Sequence, residues 1–233
     1  MSIAARVTPC LHPTRFDSKV MHMKVQDAYT DWAATYDEDR NRTRDLDQQV
    51  TQRALDGRRF ASIVEIGCGT GKNTALLAQL GDRVRALDFS AGMLQRARQK
   101  VQAANVAFIE ADLTQPWPVE DGSASLVVCN LVLEHIEDLH PIFAQAARVL
   151  VTNGLFFVCE LHPFRQYQGT VANFQRAGGA VEIDAYVHHI SDFLAAATAS
   201  GFRLEQLGEW WHEEDGGKPP RLVSLLFARG ERR

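Results

Sequence analysis

Three glycines spaced two apart, Gly67, Gly69 and Gly71, stand where an apolar run gives way to a polar one. The run before them, Ile63-Val64-Glu65-Ile66, predicts a buried parallel strand, and residues 74–78 predict the start of a helix. Glycine permits a tight turn with positive φ and lets backbone N–H groups come close to a ligand. A helix N-terminus adds partial positive charge behind the loop. The stretch therefore predicts a ligand-binding loop.

Three known kinds of ligand loop compete for this stretch. A phosphate-binding loop needs Gly-x-x-x-x-Gly-Lys-Ser/Thr, but Asn73 follows Gly71-Lys72, and Ile66 stands where the first glycine belongs. A dinucleotide loop needs Gly-x-Gly-x-x-Gly, and Lys72 replaces its third glycine. The pattern that remains is Glu65-x-Gly-x-Gly-x-Gly, beside the alternative of a glycine-rich turn that binds nothing.

Polar side chains recur where later apolar runs end. Residues 83–88 and 108–113 predict two more strands with a carboxylate at their ends, Asp88 and Asp112. Asp88 follows the loop by about 20 residues, the distance at which such folds place an acid that accepts hydrogen bonds from a ribose diol. Residues 125–130 and 155–160 predict further buried strands.

Taken in order, these motifs resemble motifs I to IV of the class I S-adenosylmethionine (SAM)-dependent methyltransferases, over about residues 65–160. The resemblance implies that the glycine loop positions the methionine part of SAM and that Asp88 holds the ribose. It also implies that Asp112 accepts from the adenine amino group and that the backbone N–H of Leu113 reaches the ring. The other cofactor-binding residues that it implies are Glu65, Gly67, Cys68, Gly69, Gly71, Phe89, Met93, Asn130 and Leu131.

Residues 31–37, Asp-Trp-Ala-Ala-Thr-Tyr-Asp, resemble an N-terminal element of many small-molecule methyltransferases. In that family the helix covers the cofactor, and an aromatic or a nearby basic residue touches its methionine end. The resemblance makes Tyr36 and Arg44 the candidates here. Packing on the domain is the alternative for Tyr36, and it is the favoured interpretation for Trp32.

The substrate is expected between the fifth strand and the next helix, in residues 161–189, which mix aromatic walls with titratable groups. Histidine can accept a proton from an attacking hydroxyl or amine near neutral pH. Each histidine also has a structural alternative, such as a backbone hydrogen bond or a place in solvent. The candidates for orienting or deprotonating the acceptor are Glu160, His162, Tyr167, His188 and His189.

Composition narrows the function classes. The chain has 233 residues, 45% hydrophobic and 23% charged, with a formal net charge of −4, and it holds no basic block typical of nucleic-acid binding. Its four cysteines lack paired spacing, which predicts reduced thiols in a cytoplasmic protein rather than a disulfide framework. No metal site is predicted, since neighbouring His188 and His189 diverge on either regular element. No apolar run approaches the length of a membrane span.

The alternation of strands and helices predicts an α/β fold, a Rossmann-like, doubly wound sheet of seven mostly parallel strands. Two β-like runs, residues 202–211 and 222–228, predict a C-terminal antiparallel strand pair. Residues 1–24 are expected to be a flexible tail. Residues 25–233 are expected to form one SAM-dependent methyltransferase domain, with 161–189 as a substrate-pocket insertion.

The function implied is transfer of the methyl group of SAM to a small molecule by in-line displacement, giving S-adenosylhomocysteine. The protein is expected to act without nucleic-acid or membrane partners, as a monomer or homodimer. A SAM-binding regulator without catalysis, or a methyltransferase acting on protein or RNA, is the alternative. The acceptor atom, O, N or C, stays open.

Overall fold

The structure, a computed structural model, describes residues 36, 41–168, 173–176, 179–182 and 185–231, with the backbone alone for 173–176 and 179–182. The predicted tail and Trp32 lie outside these residues. The helices that it describes are α1 (Arg42–Leu55), α2 (Thr74–Leu80), α3 (Ala91–Lys100), α4 (Leu139–Val149), α5 (Pro163–Tyr167) and α6 (Ile190–Ala199). The strands are β1 (Ile63–Ile66), β2 (Val84–Asp88), β3 (Val106–Glu110), β4 (Ala124–Asn130), β5 (Leu150–Leu161), β6 (Asn173–Arg176), β7 (Gly179–Glu182), β8 (Phe202–Trp210) and β9 (Leu222–Arg229).

Seven of these strands form one sheet in the order β3-β2-β1-β4-β5-β9-β8. The strands from β1 to β5 pair in parallel, and β9 runs antiparallel to both β5 and β8. This confirms the predicted fold class, including the C-terminal antiparallel pair. The antiparallel hairpin of β6 and β7, inside the predicted insertion, was not expected from the sequence.

The register of the parallel strands brings their carboxyl ends to one edge. Ile66, the last residue of β1, pairs with Leu87 of β2 and Cys129 of β4. The last residue of β2, Asp88, pairs with Glu110 of β3. In open parallel sheets a ligand binds beyond such ends, where the strand order reverses. Here the reversal lies between β1 and β4.

Both faces of the sheet are covered, because successive side chains of a strand point to opposite faces. Phe156 of β5 joins an aromatic cluster under α4, where its ring centroid lies 5.1 Å from that of Phe143. Its neighbour Phe157 faces the other way, toward Leu46 and Val50 of α1. Helix α1 therefore packs into the hydrophobic core on this face of the sheet.

Local signals fix most element ends. Ser90 caps α3 by accepting from the Met93 N–H, and the Gly81 N–H donates to the Leu77 carbonyl at the end of α2. Helix α1 begins at Arg42, where the Asn41 side chain accepts from two backbone N–H groups.

The strand β5 begins at Leu150, five residues before the predicted start at residue 155. Asn153 takes a positive φ of 62° inside the strand. The pairing of β4 with β5 shifts register at this point, from Leu150 to Leu155. The residues before 155 therefore form an irregularity within a longer strand.

A buried ion cluster ties α1 to the C-terminal strands. Asp215, only 1% exposed in the loop between β8 and β9, pairs with Arg165 at 2.9 Å and accepts from Arg221. Arg221 also donates to Thr43 of α1 at 3.1 Å. One carboxylate thus neutralises two guanidinium groups and joins α5, the β8–β9 loop and α1.

We predict that Asp215→Asn lowers the free energy of unfolding by about 3 kcal/mol, because it leaves the buried Arg165 and the partly buried Arg221 without their counter-charge. Denaturant unfolding at neutral pH measures this. The matched control is Asp121→Asn, since Asp121 is 61% exposed in its pair with Arg148. Loss of that exposed pair should lower the free energy of unfolding by less than about 1 kcal/mol. Equal effects in the two variants would contradict a structural role for the buried cluster.

The pH dependence of the Asp215 contribution has a defined sign. Burial opposes ionisation, but the hydrogen bonds from Arg221 and from the His212 backbone N–H outweigh it and hold the pKa of Asp215 well below its usual range. The stabilisation is therefore complete above the unfolded-state pKa of about 4 and is lost as the pH falls toward the folded-state value. The difference between wild type and Asp215→Asn should shrink in that acid range alone.

Candidate active site

A cavity of about 530 Å³ opens at the carboxyl ends of β1 to β4. Every residue that the family resemblance implied for the cofactor lines this cavity, except Gly71. The lining residues in that set are Tyr36, Arg44, Glu65, Gly67, Cys68, Gly69, Asp88, Phe89, Met93, Asp112, Leu113, Asn130 and Leu131. The structure therefore brings the predicted set together in one place, and their contacts with a cofactor stay predictions.

The glycine loop has its expected conformation at Gly67, Gly69 and Gly71, with φ of 69°, 52° and 81°. Gly71 does not line the cavity but packs against α3, where an added Cβ would lie 3.0 Å from Val101 Cγ2. At Gly67 an added Cβ would lie 2.1 Å from Val132 Cγ2. The first glycine is thus required by the chain that follows β4.

The N–H groups of this loop are already paired within the protein, contrary to the expectation that they approach a ligand. Those of Gly67 and Cys68 donate to the Leu87 carbonyl, and that of Gly71 donates to the Cys68 carbonyl. The Gly69 N–H donates to Asp88 Oδ2 at 2.8 Å. These four N–H groups are therefore not available to bind an anion. The loop is better suited to a ligand other than a phosphate.

Asp88 is 5% exposed and holds the loop to β2. Its Oδ1 accepts from the Ser90 N–H at 2.9 Å, opposite the bond from Gly69 to Oδ2. Burial raises the pKa of Asp88, and these backbone hydrogen bonds oppose the rise. Each carboxylate oxygen can accept more than one hydrogen bond, so the group can still accept from ligand hydroxyls.

Asp112 is exposed at the β3 side of the cavity. Its Oδ1 accepts from both the N–H and the hydroxyl of Thr114, at 2.9 and 2.7 Å, which fixes the carboxylate at the rim. Next to it, Leu113 is buried, with its carbonyl accepting from the Trp117 indole N–H. The rim at this side is therefore held by local hydrogen bonds.

Glu65 is buried beneath the loop and accepts from the Thr74 hydroxyl at 2.5 Å. Burial raises its pKa to about 8, with Asp47 and Asp88 nearby adding to the rise. Glu65 therefore joins β1 to the first turn of α2 and adds a protonatable group to the cavity wall.

Helix α1 contributes a cation, the Arg44 guanidinium, to the cavity lining. The Arg44 guanidinium lies 4.0 Å from the centroid of the Tyr36 ring, and its Nη1 donates to the Tyr36 carbonyl at 2.6 Å. Lys72 adds a second cation to the lining and pairs with Asp45 at 2.5 Å. These groups suit the carboxylate of an amino acid.

Helix α1 also contributes Asp47, which the sequence analysis missed. Asp47 is 3% exposed, lines the cavity, and accepts from Asn130 Nδ2 at 2.5 Å and from Asn73 Nδ2 at 2.8 Å. Burial raises its pKa, and the two amide hydrogen bonds oppose the rise. One sequence feature could have pointed to Asp47. Asp47 and Thr51 are polar residues spaced four apart, on the same face of the helix and beside its apolar stripe.

None of the residues expected to act on the acceptor lines this cavity. Glu160 is 2% exposed, and its Oε1 accepts from the N–H groups of Val132 and Leu133, both at 3.0 Å. Burial is the main cause that raises the pKa of Glu160 to about 8. Glu160 therefore supports the chain after β4, and a role toward the acceptor stays a prediction.

The three predicted histidines all have structural partners. His162 caps α5 by accepting from the Phe164 N–H, and its Nε2 lies 3.0 Å from Glu209. His188 Nε2 donates to the carbonyls of Leu133 and Ile136, at 3.0 and 2.7 Å. His188 therefore clamps the turn after β4 from outside the cavity.

His189 and Tyr167 pair with each other at the surface. The Tyr167 hydroxyl contacts His189 Nδ1, and Tyr167 is 56% exposed. The His189 N–H donates to Asp192 at 2.8 Å, which caps α6. Both side chains lie outside the cavity lining, and a catalytic role for either one stays a prediction.

A different histidine lines the cavity. His135 ends a short 3₁₀ helix, Leu133–His135, directly after β4. Its neighbour Glu134 lies 3.9 Å away, Oε1 to Nε2, and is 9% exposed. Burial raises the pKa of Glu134 to about 7. The Glu134-His135 pair is not among the site residues predicted from the sequence, although it follows a strand end.

Within residues 41–231 where side chains are described, Cys68, Cys129 and Cys159 are free and buried, and burial raises the pKa of each thiol well above its usual value. The described part of the chain holds no cluster of His, Cys, Asp or Glu arranged for a metal ion. None of its helices has the length and apolarity needed to cross a membrane.

Comparison with known proteins gives consistent matches. A family model described as a methyltransferase domain matches residues 64–158. An uncharacterized methyltransferase of Emericella nidulans is 27% identical over 255 residues, covering 92% of this chain and 88% of that protein. The malonyl-(acyl-carrier protein) O-methyltransferase of Yersinia pestis is 28% identical over 185 residues, and the match covers 79% of this chain but only 63% of that enzyme.

The fold also matches a solved complex of DhpI with S-adenosylhomocysteine. The TM-score is 0.69 at 21% identity, over 89% of this chain and 96% of that one. Together, the fold, the strand-end cavity and the sequence matches define the class: the chain is a class I SAM-dependent methyltransferase, and SAM is its cofactor. Within that class it carries the methyltransferase domain of the matched family model.

We predict that Gly67→Ala weakens S-adenosylhomocysteine binding by about tenfold or more. The new Cβ would displace Val132 and with it the cavity wall, and a non-glycine residue also resists the positive φ. Calorimetric titration measures the loss. Gly122→Ala is the matched control, because Gly122 has a similar φ of 58° and open space at the Cβ position.

The control variant should lose stability by about 1 kcal/mol and keep its affinity. Adding Val132→Ala to Gly67→Ala should restore part of the affinity, since it removes the atom that clashes. A Gly67→Ala protein that binds as wild type does would show that the close approach to Val132 is unimportant.

Glu160→Gln should keep the fold and turnover, because the amide oxygen can accept the same two N–H groups. Since burial raises the Glu160 pKa to about 8, folding of wild type binds a proton here, and its stability falls as pH rises from about 5 to 8. The neutral amide lacks this penalty, so the variant should gain on wild type by about 1.4 kcal/mol for each pH unit across that range. Unfolding curves at several pH values measure it, and loss of turnover in a folded variant would restore Glu160 to the catalytic list.

Proposed function

We propose that this protein transfers the methyl group of SAM to a small-molecule acceptor bound on the β4 side of the cavity. The observation that carries the proposal is the order of polar groups across the sheet edge. Asp112 follows β3, Asp88 ends β2, the glycine loop follows β1, and His135 follows β4. Neighbouring strands lie about 4.8 Å apart, so these groups form a row.

The row fits the parts of the cofactor in sequence. Asp112 accepts from the adenine amino group, Asp88 accepts from the ribose hydroxyls, and Arg44 binds the carboxylate of the amino-acid end. SAM supplies a sulfonium-activated methyl group that an acceptor takes by in-line displacement, leaving S-adenosylhomocysteine. The protein's task is to hold the acceptor in line and to exclude water, since placement supplies much of the rate of such a reaction.

His135 is the residue that we assign to the acceptor proton. A neutral imidazole can take the proton of a hydroxyl or amine as the nucleophile forms its bond. Glu134, 3.9 Å from the imidazole, favours the imidazolium that results. His188 fixes the turn that carries both residues.

The segment between β5 and α6 supports an acceptor pocket at this place. The Tyr186 N–H donates to the Glu134 carbonyl at 2.7 Å, and His188 donates to Leu133 and Ile136. Tyr186 and His188 therefore contact the turn that bears the proposed base. A small acceptor is favoured by the concave cavity and by the net charge of −4, which opposes nucleic acid. The Yersinia relative named for a malonyl group is consistent with a carboxylate acceptor.

We predict that His135→Gln lowers kcat by about 10²- to 10⁴-fold, the usual contribution of a general base, and leaves S-adenosylhomocysteine affinity unchanged. Turnover is measured as S-adenosylhomocysteine released from SAM with a panel of small carboxylates, phenols and amines. His140→Gln is the control, because His140 is exposed on α4.

The possible results separate the alternatives. Binding of S-adenosylhomocysteine without methylation of any acceptor would favour a SAM-binding protein that does not catalyse. Equal turnover in His135→Gln and wild type would remove His135 from the mechanism. A large loss of turnover in His140→Gln would mean that the assay responds to a loss of folded protein and not to the loss of a catalytic group.

A further inference from the structure

Four large apolar side chains lie exposed beside the turn that carries His135. They are Phe164 and Tyr167 of α5, 49% and 56% exposed, and Tyr186 and Val187 before α6, 40% and 42% exposed. A single exposed apolar residue needs no explanation, but several that adjoin one another on a protein surface commonly mark a binding site. These four residues are called the apolar surface below.

Tyr186 and Val187 are held along the turn after β4. The Tyr186 N–H donates to the Glu134 carbonyl at 2.7 Å, and His188 Nε2 donates to the Ile136 carbonyl at 2.7 Å. Val187 lies between these two bonds in the chain. Ile136 itself lines the cavity. This half of the apolar surface therefore borders the cavity wall on its β4 side.

Helix α5 is joined to the same place. The Gln166 amide donates to the Tyr186 carbonyl at 3.4 Å and interacts with the Glu134 side chain. Gln166 lies between Phe164 and Tyr167 in the chain, and these two are three residues apart, so they share one side of the helix. The two halves of the apolar surface are therefore neighbours beside one turn.

The two segments that carry the apolar surface expose no charged side chain. Among residues 162–168 and 185–191, none of the exposed residues is Asp, Glu, Lys or Arg. Arg165 of α5 is buried, and its charge is paired with Asp215. A charged group of a ligand would lose water here without gaining a partner of opposite charge. The apolar surface therefore suits an uncharged, apolar group.

The cavity wall next to the apolar surface has the same character. Leu131, Val132 and Ile136 line it around His135. An aliphatic or aromatic group gains free energy by leaving water at such a place. We propose that the acceptor has an apolar portion that lies on the apolar surface, outside the cavity, while its nucleophilic group reaches His135. This proposal rests on the proposed function, which assigns His135 to the acceptor.

Alkylphenols test the proposal on the whole chain, because a phenol is one of the acceptor classes above and its alkyl chain can be lengthened. The protein is first saturated with S-adenosylhomocysteine, so that a phenol does not occupy the cofactor part of the cavity. It is then titrated calorimetrically with 4-ethylphenol, 4-butylphenol and 4-hexylphenol. The affinity of wild type should rise about two- to fourfold for each added methylene, since each methylene that leaves water favours binding.

The double variant Tyr186→Ser/Val187→Ser should lose most of this rise. It keeps the backbone N–H that donates to Glu134, so the turn keeps its attachment. The matched control is Leu204→Ser/Leu207→Ser, because these leucines are exposed to a similar degree, 38% and 45%, on β8. The control should bind all three phenols as wild type does.

Phe164→Ser is an independent variant for the α5 half of the apolar surface. It should lower the affinity for 4-hexylphenol more than that for 4-ethylphenol, because a longer chain covers more of the surface. Affinities that do not rise with chain length in wild type, or that rise equally in both test variants, would overturn this proposal alone.

Two further outcomes would assign the apolar surface or the cavity differently. Flat phenol affinities, together with cosedimentation of wild type but not of Tyr186→Ser/Val187→Ser with phosphatidylcholine vesicles, would assign the surface to a lipid bilayer and overturn the acceptor proposal. Failure of wild type to bind S-adenosylhomocysteine, seen in the first titration, would overturn the proposed function and this proposal with it.

Discussion

The contact between the glycine loop and the chain after β4 is the constraint on which the site depends. Val132 occupies the space that a side chain at Gly67 would need. Glu160 holds Val132 and Leu133 in that position through its Oε1, and Leu131 adopts a positive φ of 56° to enter the turn. The cofactor loop of β1 and the turn that bears His135 are therefore built against each other. A change in either one moves both walls of the cavity.

Buried carboxylates give the cavity its electrostatic character. Burial raises the pKa values of Asp47, Glu65 and Asp88, because a charge is poorly solvated away from water. Ionising any of these three groups therefore costs folding free energy, and for Glu65 the cost is incurred only as the pH rises toward about 8. A cationic ligand offsets that cost, and the attraction is strong because the same surroundings screen it little. The arrangement favours a ligand with positive charge, as SAM has at its sulfonium and ammonium groups.

The residues that the sequence predicted for the cofactor line the cavity, apart from Gly71, whereas none of its candidates for acting on the acceptor does. Glycine spacing and the carboxylates at strand ends are local patterns, and parallel strands bring such ends together by necessity, so Asp88 and Asp112 could be placed from the chain alone. The role of a histidine depends on partners distant in sequence. His188 bonds to Leu133, 55 residues earlier, and nothing near His188 in the chain reveals it. Asp47 was missed for the same reason, since its partners come from β4 and the loop before α2.

The hydrogen bonds from Tyr186 and His188 to the turn after β4 have a consequence for how such enzymes diversify. The segment between β5 and α6 is fastened to residues 133–136 by backbone carbonyls, which every amino acid has. Side chains of the turn can therefore change without loosening the attachment, provided that the donors remain. Exchange of this segment between related enzymes would bring in a new acceptor surface and leave the turn that carries His135 in place. The segment and its two donors could therefore be exchanged together by recombination.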